Sequence, residues 1–295
     1  MRAHLCGVRG STPSPGTEFA GIGGHTSCVA LAHDGAPPSL VLDAGTGLRR
    51  LTTVLAGAPF SGTIVLSHLH WDHTHGLPFF AAGDRPDASV RLLLPDQGDQ
   101  VDQGGDAASV LARCMSPPHF PIGPDGLRGR WTFAGLSEGE IDLEGFTVLA
   151  REIPHKGGRT FGYRVSDGRA VVAYLPDHAP QSLGPGRDGL GEYHEAARAL
   201  VEGADVLIHD SQYTAAELPA RGHFGHAAGE YAAGLAKECG VGRLLLFHHD
   251  PGRTDAEVDE IVAGVRSTAE VPVDAAREGE VVDMAGDVDA EAAGG

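Results

Sequence analysis

Short apolar runs that stop at Gly, Pro or Asp recur along the chain, and several are followed at once by Asp or His. Ser39–Leu42, Thr63–Leu66, Val90–Leu94, Phe146–Leu149, Ala170–Tyr174, Asp205–Ile208 and Arg243–Phe247 are each four or five residues long. Such runs are too brief for buried helices and read as strands, several of them covered on both faces. Helical patterns fall at Gly47–Ala56, Gly191–Glu202, His226–Cys239 and Asp255–Ser267, the last opening on Thr254 as N-cap. The first half is strand-rich and the second alternates strand with helix, which predicts an α/β sandwich of sheets covered by helices. Pro117-Pro118-His119-Phe120-Pro121 is expected to be extended, because each residue before Pro is pushed out of the helical region. Asp96–Asp106 reads as a solvated loop, and Asp283–Gly295, with four acidic residues and no basic one, as a disordered tail. One domain over residues 1–282 is expected.

Charge narrows the partners. Against 22 Lys and Arg stand 40 Asp and Glu, a net −18 that repels polyanions at long range. Long nucleic acid needs clustered Lys and Arg against its phosphates, and no dense cluster occurs, so small substrates are favoured. Cys6, Cys28, Cys114 and Cys239 are scattered, as in a reducing compartment. The first ten residues carry Arg2, His4 and Arg9 and form no signal core. No run approaches the ~20 apolar residues needed to cross a bilayer. A cytoplasmic protein without a membrane partner is expected.

The chemistry lies where strands end. Asp43 follows Val41-Leu42, His68 follows Val65-Leu66-Ser67, and His155 comes a short extension after the Phe146 run. Asp177 follows Val172-Ala173-Tyr174-Leu175-Pro176, and His248 follows Leu245-Leu246-Phe247. Strand ends in α/β folds deliver side chains to one crevice. In His68-Leu69-His70-Trp71-Asp72-His73, His68 and His70 point the same way from an extended segment, and Asp72 and His73 follow after a turn. Imidazole and carboxylate without thiolate suit zinc, with manganese or iron as alternatives. His68, His70, Asp72, His73, His155, Asp177 and His248 are too many for one tetrahedral ion and fit two divalent ions sharing a carboxylate. His178 and His249 rival their neighbours, and His248 is preferred because it sits directly after its strand. His4, His33, His119 and His194 read as structural or exposed. His75 stays open between supporting the cluster and lying at the surface, and Gly45-Thr46-Gly47 reads as a tight turn, since no Lys follows it.

The string His68-x-His70-x-Asp72-His73 after a strand is similar to the signature of metallo-β-lactamase-fold hydrolases, with Asp43, His155, Asp177 and His248 in family order. That resemblance implies an αββα sandwich of two mixed β-sheets flanked by helices. It implies a first ion on His68, His70 and His155, a second on Asp72, His73 and His248, Asp177 bridging, and Asp43 behind the metal loop. The chain more closely resembles the ribonuclease Z and phosphoribosyl cyclic phosphodiesterase branch, over roughly Gly7 to Asp255. Gly7–Pro13 and Gly23–Cys28 look like its N-terminal strand pair, and His209-Asp210-Ser211-Gln212 looks like a variant of its His-Glu-Ala-Thr segment. By position His226, in Gly225-His226-Ala227-Ala228, would be the substrate-phosphate histidine, favoured over His223 because it begins a helix whose amides suit an anion. Asp210 in place of Glu, Ala227-Ala228 in place of Ser-Thr, and the lack of a basic arm depart from the branch and weaken a tRNA-processing role.

The implied activity is hydrolysis of a small or cyclic phosphodiester by a hydroxide shared between two ions. Asp72 would take the water proton and His226 would bind phosphate or protonate the leaving oxygen. A thioesterase or lactonase uses the same centre, and a non-catalytic metal-binding regulator or an iron oxidoreductase are the remaining alternatives. A homodimer is left open.

Overall fold

The computed structural model describes residues 1–96 and 106–284. Two seven-stranded mixed sheets pack on each other. The first is ordered β14 (Val281–Asp283), β1 (Arg2–Gly7), β2 (Cys28–Ala32), β3 (Leu40–Leu42), β4 (Ser61–Val65), β5 (Ser89–Pro95), β6 (Arg130–Leu136). The second is ordered β13 (Val273–Ala275), β12 (Arg243–Phe247), β11 (Val206–Asp210), β10 (Val171–Leu175), β9 (Phe161–Ser166), β8 (Phe146–Glu152), β7 (Gly139–Leu143). In each sheet four strands, β3 to β6 and β10 to β13, are parallel, and the rest are antiparallel. The αββα sandwich expected above is what forms.

Side-chain alternation builds the layers. From the first sheet Leu40, Leu42, Val65 and Leu93 enter the core between the sheets. Their neighbours Val41, Ile64 and Leu92 face outward, onto Leu48 and Leu51 of α1 (Leu48–Val54) and Leu111 of α3 (Ala107–Ala112). The second sheet is covered by α4 (Glu195–Val201), α6 (Gly229–Glu238) and α7 (Asp255–Thr268) through Leu200, Leu235 and Val262. Each such side chain, fully buried, contributes about 1.5–3 kcal/mol, so the strand ends that carry the polar residues are rigidly held. Two short helices, α2 (Trp71–Thr74) and α5 (Leu218–Arg221), lie in the connections. Among the described residues no helix is long and apolar enough to cross a membrane.

Several expectations are corrected. Gly7–Pro13 and Gly23–Cys28 are not the N-terminal strand pair. The strands are β1 and β2, flanking those segments, which are loops tied by the Val8 and Arg9 amides to the His25 carbonyl, both at 2.9 Å. Residues Pro117–Phe120 turn rather than extend, around a cis Pro117–Pro118 bond, with the His119 and Phe120 amides both returning to the Ser116 carbonyl. Keeping the residue before Pro out of the helical region allows a turn as readily as a strand. The helix expected from His226 begins at Gly229, because Ala228 bridges Tyr213 in a short parallel pairing. The helix expected from Gly191 begins at Glu195. The Thr254 cap of α7 is present and completed by Glu257 as a capping box. The ordered domain also runs past 282: Asp283 pairs with Arg2 in β14 and Met284 is buried. The remainder of the expected tail, 285–295, and most of the Asp96–Asp106 loop, 97–105, lie outside the described residues.

Candidate metal centre

The ends of β4, β8, β10 and β12 meet at one point. Asp177, just past β10, is almost fully buried and forms the hub. Its Oδ2 lies 3.0 Å from His68 Nε2, 3.1 Å from His73 Nε2 and 3.6 Å from His155 Nε2. Its Oδ1 lies 2.9 Å from His248 Nε2. His155 Nε2 also faces His70 Nδ1 at 3.3 Å. Asp72 Oδ2 is 3.1 Å from His248 Nε2 and 3.2 Å from His73 Nε2, and accepts the Ser11 amide at 2.7 Å. All seven predicted ligands therefore gather, as two sets that could each hold an ion: His68, His70, His155 with Asp177, and Asp72, His73, His248 with Asp177.

Asp43 organises the second set from behind. It sits past β3 with φ 62°, a left-handed conformation that Asp tolerates better than most residues. Its Oδ1 accepts the Ser67 amide at 2.6 Å. Its Oδ2 accepts the Ser67 hydroxyl, the Tyr174 hydroxyl and His73 Nδ1–H, each at 2.8 Å. With Nδ1–H held there, His73 presents the lone pair of Nε2 to Asp72 and Asp177. His155 is set the same way, donating Nδ1–H to the Gly225 carbonyl at 2.8 Å. Glycine is required at two approaches to these loops. A Cβ on Gly45 would stand 2.1 Å from the Asp72 carbonyl oxygen, and one on Gly10 would stand 2.5 Å from His248 Nδ1.

Lone pairs aimed at carboxylates repel unless positive charge sits between them. His68 Nε2, His73 Nε2 and Asp177 Oδ1 are buried and have no hydrogen-bond partner among the described residues, so the donor set fits a cation. Electrostatics divides it. Burial, reinforced by the neighbouring His73, pushes His68 down to about 3, and burial lowers His70 and His155, so these three are neutral imidazoles fit to ligate. Burial opposes charging His73 and His248, yet Asp72, Asp43 and Asp177 hold His73 well above its usual value and Asp177 raises His248 to about 9. Carboxylates that pull protons onto buried imidazoles favour a divalent ion in the same place, and its binding releases those protons.

His226 lies beside this centre but not at a helix N-terminus. It donates Nδ1–H to Asp210 Oδ2 at 3.1 Å, and Asp210 Oδ2 also accepts the amides of His178 at 3.0 Å and Ala227 at 3.2 Å. The Ala227 amide is thus spent on a carboxylate rather than left for an anion. Burial would lower His226, but Asp210 and Asp177 raise it to about 10. The Asp210 partnership was missed, although the rule that found Asp43 and Asp177 also points to it: Asp210 ends the Val206-Leu207-Ile208 run. The rival histidines point elsewhere. His178 lies between His209 at 3.0 Å and His194 at 2.8 Å, and His249 bonds the Ala276 carbonyl. His75 is exposed and stacks on Trp71, and His223 is exposed on the turn before His226.

A cavity of about 430 Å³ opens over the centre, lined by Ser11, Leu69, His70, Trp71, Asp72, His155, Asp177, Gln212, Tyr213, Phe224 and His226. Residues 39–249 match the family model described as beta-lactamase superfamily domain. A ribonuclease Z from Salinibacter ruber is 26% identical over 266 residues, covering 76% of this chain and 79% of that one. Human tRNase Z, short form, superposes with TM-score 0.65 at 20% identity over 96% of this chain and 99% of its own. Zn²⁺-bound PqqB from Methylobacterium extorquens does so with TM-score 0.64 at 16% identity over 96% and 100%. The chain belongs to the beta-lactamase superfamily, as a metal-dependent hydrolase of metallo-β-lactamase fold, and that family fold implies divalent metal ions.

Proposed function

We propose that this protein hydrolyses a small or cyclic phosphodiester at a centre of two divalent ions, zinc before manganese or iron. One observation carries the reading: four histidine Nε2 atoms surround the two oxygens of the buried Asp177 at 2.9–3.6 Å. His68, His70 and His155 would hold one ion, Asp72, His73 and His248 the other, with Asp177 shared. When bound, the ions would supply a water activated near neutral pH and offset charge on the phosphoryl oxygens.

The chain's own groups do the rest. In the reaction a P–O bond forms from water, the ester P–O bond breaks, and one water proton passes to the departing alkoxide. Asp72, on the cavity wall and fixed by the Ser11 amide, receives the proton of the attacking water. His226, oriented and kept protonated by Asp210, offers Nε2–H to a phosphoryl oxygen or to the leaving oxygen. A cationic donor on the wall suits phosphate better than a neutral acyl group, and a relative named as a ribonuclease is a phosphodiesterase by its name. The acidic balance of the chain supports a small substrate over long nucleic acid.

His226→Ala is expected to keep its metal content and lose about 10²–10⁴-fold in kcat. Elemental analysis beside turnover of bis(p-nitrophenyl) phosphate, a thioester and a lactone checks this. Unchanged kcat/KM on the phosphodiester removes His226 from the reaction, and turnover of the thioester or lactone alone removes the phosphodiesterase reading.

A further inference from the structure

Two large aromatic side chains stand exposed at the mouth of the cavity, Trp71 at 66% and Phe224 at 56%. Rings of that size left in water forgo burial, and where they flank a pocket they mark recognition. They come from opposite halves of the sandwich: Trp71 lies between His70 and Asp72 after β4, and Phe224 lies two residues before His226 on the side of the second sheet. Both are braced. Trp71 stacks on His75 with centroids 5.4 Å apart and planes 20° apart, and Phe224 lies on His223 at 4.1 Å. The Tyr213 ring and Leu69 extend the apolar wall inward.

The charge of the cavity is equally specific. Among the described residues no Lys or Arg lines it, and residues 97–105 and 285–295 contain neither. Lys156, whose stem runs beside Gly225, and Arg221, which pairs with Asp250 at 2.8 Å and lies 5.3 Å from the centre of the Tyr213 ring, flank the cavity without lining it. The positive charge that faces a bound ester would come from the ions held by the two donor sets. One phosphodiester anion is matched there, whereas a second phosphate further out would be desolvated against aromatic rings without a counter-charge.

Granted the phosphodiester hydrolysis proposed above, we infer that Trp71 and Phe224 are specificity-determining residues that clasp a planar aromatic ring of the substrate. The preferred substrate class is a singly charged nucleoside phosphodiester, not a bare sugar phosphate and not a nucleotide with a second phosphate. Stacking on Trp and Phe tolerates any base, because every base has a flat face, and changes affinity about 10-fold or more per ring.

The test uses the metal-loaded full chain and three substrates: adenosine 2′,3′-cyclic monophosphate, a ribose cyclic phosphate without a base, and the adenosine substrate bearing an added 5′-phosphate. The adenosine monophosphate diester should exceed the other two in kcat/KM by about 10-fold or more. Trp71→Ala and Phe224→Ala should each raise KM for the base-bearing diester about 10-fold more than for the base-free one. Equal or better turnover of the base-free or doubly phosphorylated compound, or equal KM changes on both, overturns the inference. Adenosine alone gives a reading independent of catalysis. It should quench tryptophan fluorescence in the wild type and not in Trp71→Phe, where Trp131 is the tryptophan left. Quenching without hydrolysis of any phosphodiester leaves the clasp standing and removes the function it serves. Hydrolysis without quenching removes the clasp alone.

Discussion

Asp177→Asn should purify with at most one ion per chain and lose at least ~10³-fold in kcat/KM on bis(p-nitrophenyl) phosphate. Asp177 is the carboxylate common to every candidate ion set, and both its oxygens are surrounded by imidazole nitrogens. An amide keeps the volume but removes the negative charge, and its NH₂ would point at lone pairs or at cations. On the proposed assignment, substituting His70, which belongs to one set, should weaken one site, and Asp177→Asn should weaken both. An Asn variant that retains two ions with near-normal turnover would show that Asp177 does not join the sites.

Asp43→Ala should destabilise the protein by about 3–5 kcal/mol, because removing one partner of a buried charged network strands the others. Four donors converge on this fully buried carboxylate: the Ser67 amide, the Ser67 hydroxyl, the Tyr174 hydroxyl and His73 Nδ1–H. For a domain of this size that corresponds to a fall in Tm of roughly 10 °C. Metal affinity should fall ~10–100-fold as well, since His73 loses the partner that fixes its orientation. Thermal unfolding of the metal-free protein separates the two effects. An unaltered Tm there, with affinity also unchanged, would mean that Asp43 organises nothing.

Much of this site was legible because function is written at strand ends. Val41-Leu42-Asp43, Leu175-Pro176-Asp177 and Phe247-His248 each join an apolar strand to one polar side chain, and the parallel halves of both sheets bring such ends together. The His68–His73 string was legible for a different reason, since no packing role accounts for three histidines and an aspartate in six residues. What sequence spacing could not decide was local backbone competition. Residues 226–228 had the composition of a helix start, but the bridge between Ala228 and Tyr213 and the bond from the Ala227 amide to Asp210 keep them out of the helix. That changes the role of His226 from the head of a helix to the partner of a buried aspartate. Strands β6, β7 and β9 escaped notice because Arg130–Leu136, Gly139–Leu143 and Phe161–Ser166 mix charged, Gly and apolar residues without a clear apolar run. Their register comes from neighbouring strands, which no single segment encodes. The clasp residues carry no pattern at all; Trp71 and Phe224 become visible only once the cavity between them exists.

The most direct check is to count metal ions per chain by elemental analysis while titrating metal into chelator-stripped protein, with phosphodiester hydrolysis followed at each step. Two ions bound per chain, with activity rising as both sites fill, is the predicted result. Phosphodiester turnover that persists in fully stripped protein, or a chain that binds no ion at all, would contradict it.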